Sequence, residues 1–67
     1  MKYVITDISI AESFGFQREL HRCKEIFMVL SEKEVLNCPA LGGTLEERVS
    51  SLRGVICTQE EALDFMK

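Results

Sequence analysis

Three short apolar segments, Lys2 to Ile5, Glu25 to Leu30 and Val55 to Cys57, are each bounded by capping or turn residues and read as strands. Ile26-Phe27-Met28-Val29-Leu30 is apolar at every position, the pattern of a strand covered on both faces and placed inside a sheet. Helix starts punctuate the chain between them. Ser or Thr is followed three residues later by Glu at Ser9/Glu12, Ser31/Glu34, Thr44/Glu47 and Thr58/Glu61, where paired side chains can satisfy the free amides of a first turn. Random placement of the chain's Ser/Thr and Glu/Gln residues yields roughly one such pair, so the pattern predicts four helices.

The helix after Thr44 has the clearest stripe: Leu45, Val49 and Leu52 recur on one side, and Gly54 supplies a stop. After Ser31, Leu30 and Val35 occupy the positions of a hydrophobic staple, and Pro39 limits the helix to about two turns. Gln59 to Met66 has an apolar side of Ala62, Leu63, Phe65 and Met66. Ile10 to Phe14 is a turn or two that closes on Gly15. Gln17 to Lys24 reads as a further strand in a hairpin or as a loop, and Cys38 to Gly43 as an ordered turn between helices. The expected fold is α+β, a small sheet of about three strands packed against short helices in the order β-α-β-α-α-β-α.

Length bounds the rest. At 67 residues the chain holds one domain, residues 1–67, whose core is marginal against chain entropy. The composition, 46% hydrophobic and 28% charged with a net charge of −3, is that of a globular protein and does not favour broad nucleic-acid binding. Cys23, Cys38 and Cys57 are odd in number and widely spaced, which fits free thiols in a reducing compartment, hence a cytoplasmic location. The first residues lack the pattern of a secretory signal. The longest apolar run, Ile26 to Leu30, falls far short of the roughly 20 residues that span a bilayer.

Candidate chemistry is sparse. His21 and Cys23 point apart in a strand, so a thiol–imidazole dyad has to be assembled through the fold from Cys38 or Cys57. His21 and the cysteines match a zinc site in number but not in spacing. Glu46/Glu47 and Glu60/Glu61 sit in helix first turns, where they complement the dipole. Gly42-Gly43 before Thr44 lacks the longer glycine pattern and the lysine of a phosphate loop.

One local departure from acidity remains. Arg18, His21, Arg22 and Lys24 form a basic cluster that offers contact to an anion or a partner. Ile10 to Phe16 followed by Gln17 to Lys24 also has the outline of a helix-turn-helix with these cations in its second helix. The sequence thus leads to a non-enzymatic protein–protein interaction module without a cofactor or a membrane segment, expected to self-associate. The expected homodimer joins through an exposed strand edge or through surplus apolar side chains such as Phe14, Phe16, Leu20 and Leu41. The rival expectation is a small nucleic-acid-binding regulator that uses residues 17–24.

Overall fold

In a computed structural model, which describes residues 1–67, the first strand β1 runs Lys2–Asp7, two residues beyond the apolar segment. Asp7 is both its last residue and the cap of helix α1, Ile8–Ser13, accepting the Ser9 N–H at 2.8 Å. The helix therefore starts before Ser9, and the expected Ser9/Glu12 box is not used. It ends in a nested pair of bonds: Gly15, at φ +100°, donates to Glu12 C=O three residues back, and Phe16 donates to Ala11 C=O five residues back. This is a Schellman ending, and its apolar flank places Phe16 in the core.

Gln17 to Lys24 holds a 3₁₀ turn, Arg18–Leu20, and strand β2, Arg22–Lys24, which pairs antiparallel with β3, Phe27–Ser31. A strand here removes the helix-turn-helix outline. The β2–β3 hairpin turns through Glu25 and Ile26, with Glu25 in the left-handed region at φ +56°. β3 leads directly into α2, Glu32–Leu36, and an irregular connection reaches α3, Leu45–Ser51. β4, Val55–Thr58, is followed at once by α4, Gln59–Phe65. α2, α3 and α4 each open with a complete capping box, at Ser31/Glu34, Thr44/Glu47 and Thr58/Glu61.

The result is an α+β fold with a four-stranded antiparallel sheet in the order β2-β3-β1-β4. The element order is β-α-β-β-α-α-β-α, with one strand more than expected, because the short charged β2 gains its ladder only from β3. β3 lies inside the sheet, as its apolar run predicts.

Side chains alternate across the sheet, so each strand feeds two layers. Val4, Met28 and Leu30 face α1, α2 and α3 and join a cluster of eleven buried residues that includes Val35, Val49 and Leu52. Thr6 shares that face and buries its hydroxyl by donating to Leu52 C=O at 2.6 Å. Tyr3, Ile5, Val29 and Cys57 face the other way, toward α4.

α3 ends differently from the sequence expectation. Arg53, not Gly54, takes the left-handed position at φ +53°, with Arg53 N–H on Ser50 C=O and Gly54 N–H on Val49 C=O, each 3.0 Å. Gly54 is required for another reason: a Cβ there would lie 2.9 Å from both Ile5 O and Val4 Cγ1. The connection between α2 and α3 is held by Arg48, whose Nε donates to Gly43 C=O and whose Nη1 donates to Val35 and Cys38 C=O at 3.0–3.2 Å. Cys38 and Leu41 are buried beneath it.

Candidate functional site

The registers align Arg22, Val29, Ile5 and Val55 in one row across the four strands on the α4 side. A seven-residue helix is about 10 Å long, too short to cover that face. α4 crosses it from β4, which supplies its cap, to the β2–β3 hairpin. There Lys24 Nζ donates to Phe65 and Lys67 C=O at 2.8 and 2.6 Å, and Phe65 meets Phe27 edge-on with ring centroids 5.6 Å apart. Ala62, Phe65 and Met66 dock on Val29, Cys57, Tyr3 and Ile5.

Two places beside the helix stay open. On one side lies a groove of about 230 Å³ bordered by Tyr3, Arg22, Val29, Ala62, Leu63 and Met66. On the other, Val55 is 64% exposed at the edge of the sheet, while Leu63, at the groove, is 48% exposed.

The sheet has two unlike edges. β2 is short and carries Arg22 and Lys24, which discourage pairing with another chain. β4, Val-Ile-Cys-Thr, carries no charge. Which of its backbone groups face outward follows from the ladder. Ile8 N–H donates to Ile26 C=O at 2.8 Å in the β1–β3 register, so even-numbered residues of β1 bond to β3 and odd-numbered ones to β4. Tyr3 therefore bonds to Cys57 and Ile5 to Val55, which turns the N–H and C=O of Ile56 away from the sheet. The donors of both neighbours on this edge are taken: Gly54 N–H donates to Val49 C=O and Thr58 N–H to Glu61 Oε1.

The basic cluster does not form a common surface. Arg18 lies 3.3 Å from Glu12 Oε1, and that hydrogen bond and charge hold its guanidinium above the ordinary range. The His21 ring is 9% exposed, stacks edge-on against Phe16, and lies between Gln17 C=O, 2.8 Å from Nδ1, and Glu34 Oε2, 2.5 Å from Nε2. Both ring nitrogens are thus engaged within the chain. Burial works against the Glu34 carboxylate, but hydrogen bonds from the Ser31 amide and hydroxyl and from His21 outweigh it and lower its pKa. Lys24 is occupied at the end of α4. Arg22 projects beside the groove under the sheet.

His21 and Cys38 both line a second groove, of about 520 Å³, with Phe14, Gln17, Glu34 and Pro39. Cys38 Sγ turns to Phe14 C=O at 3.5 Å, however, and neither imidazole nitrogen is left to receive its proton. Burial, aided by the Glu61 carboxylate, pushes the Cys57 thiol up, away from the thiolate a nucleophile requires. No group of three His, Cys, Asp or Glu side chains gathers to hold a metal. No helix is long and apolar enough to cross a membrane.

The candidate apolar contacts need correction. Phe16 and Leu41 belong to the main core and Phe14 packs against it, leaving Leu20, 73% exposed, as the free member of that set. The sequence marks Val55 to Cys57 as a strand without naming it as the edge; the available signal is its lack of charge between Gly54 and the Thr58 cap. Comparison with family models, curated proteins and solved structures yields no match.

Proposed function

We propose that this chain is a non-enzymatic protein-interaction module that associates with a second copy of itself. The observation that carries the reading is the incomplete cover of the sheet on the α4 side, where Val55 stays 64% exposed beside an uncharged edge strand. A chain of 67 residues has little core to spare, so burying that surface against a partner adds stability that the monomer lacks. The three free thiols support work in a reducing compartment, the cytoplasm. The nucleic-acid reading has less support, because Arg18, His21 and Lys24 each have a partner within the chain.

The test is the mass of the reduced protein in solution over a hundredfold concentration range at two salt levels. A dimer that dissociates on dilution and responds weakly to salt is expected. A monomer at every concentration overturns the reading, and salt-sensitive binding of a DNA or RNA duplex by that monomer would favour the rival.

A further inference from the structure

Resting on the self-association reading, we propose that two copies join edge to edge through β4, antiparallel about a two-fold axis at Ile56, making one continuous eight-stranded sheet. The backbone points to a second copy as the occupant. On this edge Ile56 offers one donor and one acceptor side by side, and the amides on either side are already bonded to Val49 and Glu61. A two-fold axis satisfies both groups at once, each Ile56 N–H donating to the other Ile56 C=O. An unrelated extended peptide gains nothing more from the flanking amides.

Side chains agree with that axis. Antiparallel pairing about Ile56 sets Val55 opposite Cys57 of the second copy, a non-hydrogen-bonded pair with Cα atoms about 4.5 Å apart. Exposed Val55 is thereby covered by the thiol and the first turn of the other α4. Beyond the strand ends, the turn that carries Arg53 in each copy comes near the first turn of the other α4, which holds Glu60 and Glu61, so the charges there are of opposite sign. Like charges do not meet along the seam. The outer edges of the joined sheet are both β2, whose Arg22 and Lys24 end the assembly at two copies.

The experiment compares association of the wild type, Val55→Lys and Leu63→Lys by sedimentation, with folding of each verified by circular dichroism. It adds oxidative crosslinking of Val55→Cys, with Val55→Cys/Cys57→Ala as control. Expected are a wild-type dimer, about tenfold weaker association for Val55→Lys, little change for Leu63→Lys, and a Val55→Cys crosslink that the Cys57→Ala change abolishes. If the wild type dimerises but Val55→Lys associates as well as it does, or no crosslink to Cys57 forms, the edge pairing is wrong while self-association stands. If Leu63→Lys separates the copies and Val55→Lys does not, the contact lies on the α4 face and the edge pairing is again overturned. A wild type that stays monomeric throughout removes both.

Discussion

The two faces of the sheet are built from the same four strands yet are finished to different degrees. One is sealed by three helices over eleven buried residues; the other carries a single seven-residue helix and a buried cluster of three. The alternation of side chains makes both faces apolar, so the difference lies in how much chain is available to cover each. One core is closed and the other stays partly open.

Truncations test the contrast most strongly. Leu30→Ala, at a fully buried position of the sealed face, is expected to cost about 3 kcal/mol in denaturant unfolding. Phe65→Ala, at a half-buried position under the open face, is expected to cost about 1.5 kcal/mol. Equal losses would mean that the faces are energetically alike. Gly54→Ala should fall between them at about 2 kcal/mol, because the added Cβ drives into the Ile5 carbonyl and the Val4 side chain where β4 joins the sheet. A loss below a few tenths in thermal melting would show that the strand shifts freely.

Smaller changes sharpen the comparison. Glu25→Gly relieves a left-handed backbone at the hairpin and should stabilise by about 0.5–1 kcal/mol, read from the urea midpoint. Acid should act first on the sealed face. Glu34 and Glu47 cap α2 and α3, and hydrogen bonds hold both carboxyls below the ordinary glutamate range; for Glu47 these come from Thr44, and for Glu34 they prevail over burial. A lowered folded pKa contributes stability that is present above about pH 4.3 and lost as pH falls through the folded value. Amide protection factors in the first turns of α2 and α3 should therefore fall below that pH, and Glu34→Gln should flatten the response in α2; protection that stays constant to about pH 3 would contradict it.

Legibility followed the range of the interaction. The boxes at Ser31, Thr44 and Thr58 close within three residues, and each forms as the sequence predicts. Ser9 carries the same pattern but loses to Asp7, which accepts the Ser9 amide because β1 runs farther than its apolar residues indicate. The sequence leaves β2 open among strand, loop and helix, since Arg-Cys-Lys becomes a strand through β3 and the hairpin turn lacks the usual glycine or asparagine. The cations looked free because their acceptors are distant in sequence: Glu34 is 13 residues from His21, and Phe65 is 41 from Lys24. Leu41 looks like surplus for the same reason, as nothing local reveals that its loop carries it into the core, whereas the Gly15 helix ending is the local signal that turns Phe16 inward.

Arg48 shows where the shape of an irregular segment is encoded. Its guanidinium gathers the carbonyls of Val35, Cys38 and Gly43, so the path between α2 and α3 is specified by a side chain that lies downstream of the loop. Because backbone oxygens are the same in every residue type, exposed loop positions such as Ala40 are free to drift while the conformation persists. A saturation mutagenesis profile should show a tolerant loop and an intolerant arginine, a separation between the place where a structure is visible and the place where mutation erases it.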